Sequence, residues 1–229
     1  MKATELGVTA IQINVNEVLR YLGAAASVSE DLRRDAEAVA KMLVTTVQPR
    51  YTYKVVPLKH EEKQIVFSDV GVTMTGETAR TMLAQCDQAV LLACTLGVRF
   101  DTMLRAEQAR DMARAVILDA CGSALVESGC DAVEREIKER FSERFLTDRF
   151  SPGYGDLPLT LQPSICTALD TPRRLGVHVT KSLLMNPSKS VTAVIGLSDQ
   201  PQKARIRGCA YCSMRETCSL RKGGKRCAL

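Results

Sequence analysis

A nearly continuous apolar run, AVLLACTL at residues 89–96 with Thr95 as its one polar residue, places the tightest constraint on the fold of this 229-residue chain. A strand of this composition buries both of its faces, so the sheet that contains it needs covering layers on both sides. Its strongly apolar part, residues 89–94, is far shorter than the roughly 18 residues that indicate a membrane span. We therefore expect an internal strand and no crossing of a bilayer.

The flanking segments predict helices interspersed with hairpin-like strands. Residues 27–30, SVSE, match a helix N-cap pattern, and apolar residues follow at helical spacing as far as Pro49. Alternating residues predict two antiparallel strands, one from Tyr51 and one at residues 65–74, and a further strand at residues 191–197. Because regular βαβ alternation is absent, the sequence predicts an α+β fold with a mostly antiparallel sheet flanked by helices.

Residues 101–145 are helical in pattern but contain two glycines, Gly122 and Gly129. A glycine inside a helix costs about 1 kcal/mol relative to alanine, so we expect breaks there and two or three helices. Residues 149–163 then hold three prolines and two glycines, which predicts a turn-rich loop that cannot continue the helix. Loops of this kind often carry function.

The nine cysteines fall into two groups. Five have apolar surroundings that predict buried thiols; they are Cys86, Cys94, Cys121, Cys130 and Cys166. Four crowd the C-terminal end in the pattern C-x2-C-x5-C-x8-C, at Cys209, Cys212, Cys218 and Cys227. Glu5 lies where a secretory signal would need its apolar segment, which favours a cytoplasmic protein in which clustered cysteines bind metal.

Charge separates the same two parts of the chain. Residues 201–229 hold eight Lys and Arg residues against Glu216 alone, which leaves 23 basic and 25 acidic residues in the rest. The net charge of +5 is therefore a property of the tail. We predict two units, a globular domain at residues 1–199 and a basic cysteine-rich tail at residues 200–229.

The loop that begins at Arg149, RFSPGYGDLP, has the residue types of a ligand site. A guanidinium can bind a carboxylate through two hydrogen bonds, glycine lets the backbone approach a ligand, and tyrosine offers a ring and a hydroxyl. The common phosphate-loop, dinucleotide, zinc-protease and serine-hydrolase motifs are absent. Because the chain has only two histidines, a catalytic mechanism that relays protons through histidine is poorly supported.

Two motifs carry a resemblance to a known family. The first is R-x-x-P-G-Y at residues 149–154, and the second is M-x-P-x-x-S-V-[ST] at residues 185–192. In this order and spacing they resemble the activation domain of vitamin B12-dependent methionine synthase. The resemblance covers most of residues 85–197, and the chain lacks the length for the homocysteine, folate and cobalamin modules of the complete enzyme.

The resemblance implies a stand-alone activation subunit that binds S-adenosylmethionine and supports reductive methylation of cob(II)alamin carried by a partner. The partner would be a cobalamin-dependent methionine synthase or another corrinoid methyltransferase, so the chain would be a non-autonomous component. The motif implies that Arg149 contacts the ligand's carboxylate and Tyr154 its sulfonium or adenosyl side. Gly153 would allow close backbone approach, and Ser151 and Pro152 complete the set of cofactor-binding residues; the resemblance implies no catalytic residue.

The four tail cysteines supply enough thiolates for one tetrahedral zinc ion or one iron–sulfur cluster, and their spacing leaves both open. A cluster would suit electron transfer, and the surrounding Lys and Arg could dock an acidic flavodoxin-like or ferredoxin-like donor. The alternative function is a zinc-knuckle nucleic-acid-binding or scaffold protein without catalysis. Because aromatic residues make up only 4% of the chain, without Trp, nucleic acid is the less favoured partner.

Overall fold

The computed structural model of the chain describes residues 4–5, 11–23, 28–203, 205–206, 216–217, 222 and 224. Strands and helices are numbered separately in chain order. The strands are β1 (Thr4–Glu5), β2 (Arg50–His60), β3 (Gln64–Phe67), β4 (Val72–Thr75), β5 (Gln88–Thr95), β6 (Phe145–Leu146), β7 (His178–Val179), β8 (Met185–Asn186) and β9 (Ser190–Ser198). The helices are α1 (Val15–Tyr21), α2 (Glu30–Thr46), α3 (Glu77–Leu83), α4 (Gly97–Arg110), α5 (Met112–Arg140), α6 (Gln162–Leu169) and α7 (Thr171–Leu175).

The main sheet is antiparallel and has the order β4-β3-β2-β5-β9-β6, with β1 also paired to β2. The central strand is β5, which lies between β2 and β9; Ala93 faces Thr52 on one side and Thr192 on the other. Strands β7 and β8 form a separate two-stranded hairpin. The predicted α+β fold with a mostly antiparallel sheet flanked by helices is confirmed.

Strand β5 is buried on both faces, as its apolar run predicts. Val90, Leu92 and Cys94 face one core, which α1, α2, α4 and α5 cover. Ala89 and Leu91 face a second core, which α3, α6 and α7 cover. The sheet is thus the middle layer between two helical layers, and burial of apolar side chains on both faces stabilises it.

The expected helix breaks at Gly122 and Gly129 are wrong. Helix α5 runs without interruption through both glycines, and the chain breaks instead before it, at Asp111. The Asp111 carboxylate accepts a hydrogen bond from the Arg114 N–H at 3.0 Å, which caps the new helix. The glycines have a packing role, because a Cβ at Gly122 would lie 2.2 Å from the Phe100 ring and one at Gly129 would lie 3.0 Å from Pro49.

The strand expected at residues 65–74 is two strands, β3 and β4, joined by a tight turn. Asp69 and Gly71 both adopt positive φ in that turn, so the chain reverses where the sequence reads as a continuous β-rich run. The capping-box pattern at residues 27–30 predicts the start of α2, but the cap observed is Ser29, whose side chain accepts from the Leu32 N–H at 3.2 Å; Ser27, the cap that the pattern implies, lies outside the described residues. Within the described ranges, no helix has both the length and the apolar content needed to span a bilayer.

Candidate functional site

The loop that begins at Arg149 is fixed to the edge of the sheet just beyond β6. The Thr147 N–H donates to the Gly196 carbonyl at 3.0 Å, and the Thr147 hydroxyl accepts from the Gly196 N–H at 2.8 Å. Phe150 then exchanges two backbone hydrogen bonds with Val194 on β9, and its ring is fully buried in the second core. These contacts fix the position of Arg149, which lies between the two anchored residues.

The Arg149 side chain is buried and surrounded by carboxylates. Only 5% of it is exposed, and its guanidinium donates to Glu134 at 2.8 Å and to Glu127 and Asp131 at 2.9 Å each. The three carboxylate side chains are themselves partly exposed, at 38%, 50% and 24% for Glu127, Asp131 and Glu134. The cluster therefore has a positive centre under an acidic surface, with a formal charge of −2.

All three acids lie on one face of α5, because positions separated by three or four residues share a face of a helix. None of the three acids is among the binding residues that the sequence predicts. The spacing 127, 131, 134 ahead of a loop arginine is the signal that could have identified the cluster. Its pairing with Arg149 depends on how the loop crosses the helix, which the sequence does not reveal.

Helix α1 adds further charge beside the acidic cluster. Glu17 pairs with Arg20 at 3.2 Å. Burial raises the pKa of Glu17 most, Arg20 opposes the rise, and the negative charges of Glu127 and Asp131 raise the pKa further. Glu17 therefore lies close enough to the acidic cluster on α5 for the charges of Glu127 and Asp131 to act on it.

Residues 151–157 form a compact turn held by its own backbone. The Tyr154 N–H donates to the Ser151 carbonyl at 3.1 Å, and the Gly153 N–H donates to the Leu157 carbonyl at 2.8 Å. Gly153 has φ 93°, a conformation that favours glycine, and a Cβ there would contact only Leu159, at 3.8 Å. Pro152 is buried, whereas 52% of Tyr154 is exposed. The turn therefore presents a bare backbone and a half-exposed tyrosine to solvent.

Asp156 attaches this turn to the start of α3. Its carboxylate accepts hydrogen bonds from the backbone N–H groups of Glu77 and Thr78, at 2.5 and 2.9 Å. Hydrogen bonds from the Thr78 side chain and from these two N–H groups lower the pKa of Asp156 to about 2. Position 155, next to Asp156, requires a glycine because a Cβ there would lie 2.4 Å from the Thr78 hydroxyl.

The second motif, residues 185–192, is attached to the same long helix. Lys189 pairs with Asp119 at 2.9 Å and donates to the Ser123 hydroxyl at 2.8 Å. Positions 119 and 123 continue the polar face of α5 that carries the three partners of Arg149. The two motifs that carry the family resemblance are therefore tied to one face of one helix.

Of the predicted cysteine groups, the structure describes one. Cys86, Cys94, Cys121, Cys130 and Cys166 are all buried free thiols, as expected. Burial raises the pKa of both Cys86 and Cys121 to about 12, so these thiols stay protonated at neutral pH. The predicted metal ligands Cys209, Cys212, Cys218 and Cys227 lie outside the described residues. Among the residues that are described, no group of three or more His, Cys, Asp or Glu side chains could hold a metal ion.

The fold described above is similar to that of a solved structure. The chain is similar to the crystal structure of the MetH reactivation domain bound to AdoHcy, with a TM-score of 0.67 and 16% sequence identity. The match covers 99% of this chain and 86% of that one. The two proteins therefore share a fold. No family model matches the sequence, and no curated protein matches it.

Proposed function

We propose that the chain binds S-adenosylmethionine at the loop of residues 149–158 and acts as an activation subunit for a cobalamin-dependent methyltransferase. The observation that carries this proposal is the placement of the loop. In a fold shared with a domain whose solved structure contains AdoHcy, the loop lies at the sheet edge with its arginine under three carboxylates. The individual binding residues and the partner are part of the proposal.

Charge supports a cationic adenosyl ligand. S-adenosylmethionine carries a positive sulfonium, a positive ammonium and one carboxylate, whereas the product AdoHcy lacks the sulfonium charge. The cluster of Arg149 with its three carboxylates has a formal charge of −2. An acidic surface of this kind raises the local concentration of a cation and favours the charged ligand over its neutral product.

Arg149 and Asp131 are proposed to receive the amino-acid end of the ligand together. Asp131 is the most exposed of the three partners of Arg149, so its carboxylate can leave the guanidinium at the least cost. The ligand's carboxylate would then bind Arg149 while its ammonium binds the released Asp131 carboxylate. This exchange replaces the one ion pair between Arg149 and Asp131 with two ion pairs to the ligand, and Glu127 and Glu134 hold the guanidinium in place.

The turn after Arg149 is proposed to hold the adenosyl end. The space beside Gly153 lets a ligand approach the backbone, and the half-exposed Tyr154 ring offers a face for the adenine or the sulfonium. Ser151 and the buried Pro152 shape the turn between Phe150 and Gly153. In this arrangement the protein positions the methyl donor and supplies no group that bonds to it.

The reaction takes place on a partner. The sulfonium methyl group of S-adenosylmethionine is proposed to be transferred to cobalt when the partner's cob(II)alamin receives one electron, which leaves AdoHcy. We further propose that the tail cysteines bind zinc or an iron–sulfur cluster, since four thiolates suit either. A cluster would relay the electron from a flavodoxin-like or ferredoxin-like donor; zinc would make the tail structural.

Titration calorimetry with three ligands tests the site. We expect S-adenosylmethionine to bind wild-type protein more tightly than AdoHcy. Decarboxylated S-adenosylmethionine should bind about tenfold more weakly than the intact ligand, because it cannot pair with Arg149. In Arg149→Lys this preference for the carboxylate should shrink, and Asp131→Asn should weaken every ligand that carries the ammonium. Glu139→Gln, on the exposed end of α5, is the control.

A reactivation assay tests the activity. A cobalamin-dependent methionine synthase without its own activation domain is trapped as cob(II)alamin, and recovery is followed by its absorption spectrum. Recovery should require this chain, S-adenosylmethionine and a reductant together. If the chain can be left out without effect, the activation role is wrong. Tight binding of the chain to nucleic acid, with no adenosyl ligand bound, would favour the zinc-knuckle alternative.

A further inference from the structure

Two threonine hydroxyls are buried on one face of the main sheet. Thr52 lies on β2 and Thr192 on β9, and each residue is only 2% exposed. Neither hydroxyl oxygen is accessible to solvent, and neither has a hydrogen-bond partner within the part of the chain that the structure describes. A buried polar group without a partner is costly, so folded proteins rarely keep one. Two such groups on one sheet therefore point to a partner that is not a protein side chain.

The two hydroxyls lie in one row of the sheet, on either side of Ala93. Ala93 of β5 pairs with Thr52 on one side and with Thr192 on the other. Side chains alternate between the two faces of a strand, and Tyr51 belongs to the first core, so Thr52 faces the second core. Thr192 faces the same way as Val194, which belongs to the second core, as Ala93 does. The three residues therefore share one face of the sheet.

The next row on this face shows hydroxyls that do have partners. Thr95 of β5 pairs with Ser190 of β9, and their hydroxyl oxygens are 2.7 Å apart. The Thr95 hydroxyl also accepts from the Gly97 N–H at 3.0 Å. Thr52 and Thr192 cannot pair in this way, because β5 separates their strands. Since neighbouring strands are about 4.8 Å apart, the Cα atoms of the two threonines are about 10 Å apart.

The chemistry of the row suits water. Between the two hydroxyls the sheet carries only the methyl group of Ala93, and α6 contacts β2, β5 and β9 from this side. A hydroxyl is uncharged and both donates and accepts, so it suits a small neutral molecule that does the same. One water bound to two hydroxyls spans at most about 5.6 Å between their oxygens, whereas two linked waters span about 8 Å. Two waters therefore fit the spacing of these strands better than one.

We propose that two linked water molecules are bound over Ala93, between the sheet and α6, one by the Thr52 hydroxyl and the other by the Thr192 hydroxyl. Each water then has two polar partners, a hydroxyl and the other water, which meets the minimum for a buried water. The waters complete the contact between the sheet and α6, whose Ile165 and Leu169 pack into the same core. This site needs neither an adenosyl ligand nor a partner protein, so it is independent of the proposed function.

Valine variants test the site, because valine has nearly the shape of threonine and lacks the hydroxyl. In Thr52→Val and in Thr192→Val, one water loses a partner, and we expect the midpoint of thermal unfolding to fall by about 3 °C in each. If the hydroxyls have no partner, their removal relieves a cost and the midpoint rises instead. Thr73→Val, at an exposed position on β4, is the control and should shift the midpoint by less than about 1 °C.

Two further measurements separate linked waters from other partners. In the double variant Thr52→Val/Thr192→Val the site becomes apolar and releases both waters, so the midpoint should fall by less than the sum of the two single changes. A high-resolution crystal structure of the wild-type protein should show two ordered waters beside Ala93. A higher midpoint in either single variant, an additive fall in the double variant, or threonine hydroxyls that contact only protein atoms in the crystal would each overturn the proposal.

Discussion

The ring of Phe100 on α4 occupies the space where a side chain of residue 122 on α5 would lie. A Cβ added to Gly122 would be 2.2 Å from the ring's Cζ atom, and the ring itself is fully buried. The close approach of α4 and α5 therefore depends on a glycine in the middle of a helix. The unfavourable helix propensity of glycine is outweighed here by the packing that its missing side chain allows.

Gly122→Ala should therefore destabilise the protein, although alanine is the better helix former. We expect the free energy of unfolding to fall by about 2 kcal/mol, because overpacking a filled core typically costs 1–3 kcal/mol. Urea denaturation followed by circular dichroism measures the change. Glu139→Ala, at an exposed position of the same helix, is the control and should change stability by less than about 0.5 kcal/mol. An increase in stability for Gly122→Ala would contradict the packing argument.

Removal of the Arg149 charge should cost stability as well as ligand binding. In Arg149→Met, Glu127, Asp131 and Glu134 lose their shared counter-ion while the buried volume is largely kept. Because these carboxylates are partly exposed, we expect a loss of about 2 kcal/mol, below the 3–5 kcal/mol typical of a fully buried pair. Thermal denaturation without ligand measures it. A variant as stable as wild type would mean that the cluster contributes nothing to the fold.

The contact of Asp156 with α3 should depend on pH. The folded-state pKa is lowered to about 2, below the usual value near 4, so the ionised carboxylate stabilises the folded contact. This stabilisation is complete above about pH 4 and is lost as the pH falls toward about 2. The Thr78 amide chemical shift, followed by NMR, should titrate with a midpoint near pH 2 in wild type and show no such step in Asp156→Asn. A midpoint near pH 4 would show that the contact is absent in solution.

The two cysteine groups should differ in reactivity toward iodoacetamide. The buried thiols, represented by Cys86 and Cys121 with pKa values of about 12, should remain unmodified at pH 8 until the protein is unfolded. If the tail cysteines bind a metal, they should react only after a chelator removes it, with up to four added groups per chain. Mass spectrometry of peptides counts them. Modification of all four without a chelator would argue against a bound metal.

Two truncations should differ in stability because of Gln202 and Ile206. A chain that ends after residue 206 retains the contacts with Cys86 and Asp148, whereas one that ends after residue 199 loses them. We expect the shorter chain to fold but to be about 1–2 kcal/mol less stable, from the lost burial of these side chains and one charge-assisted hydrogen bond. Denaturant midpoints compare the two chains. Equal midpoints would support a boundary at residue 199, as the sequence predicts.

Local patterns predicted much of the fold. Strand β5 could be identified because consecutive apolar residues indicate burial on both faces, and the start of α2 could be placed near residues 27–30 because capping residues precede a helical apolar pattern. The continuity of α5 could not be predicted. Gly122 makes room for Phe100 and Gly129 makes room for Pro49, and both partners are distant in sequence from their glycines. Helix propensity gives the free-energy cost of a glycine within a helix, but it carries no information about the neighbouring side chain that requires a glycine at that position.

For the candidate site, the sequence predicted the loop but not the acidic side chains that surround its arginine. The limits of the loop and its turn at Gly153 follow from local glycine and proline chemistry. The convergence of Glu127, Asp131 and Glu134 on Arg149 does not, because it is produced by the β9 pairing of Phe150, which turns the arginine toward α5. Helical periodicity is enough to place the three acids on one face, but it does not identify the residue that covers that face.

The polar face of helix α5 connects the two motif loops. Asp119 contacts Lys189 of the second motif, and Asp131 contacts Arg149 of the first, twelve residues or about 18 Å further along the same rod. Because both loops are tied to one helix, we expect their motions to be coupled rather than independent. We expect a displacement of one loop to reach the other through the helix, as a collective motion of microseconds to milliseconds.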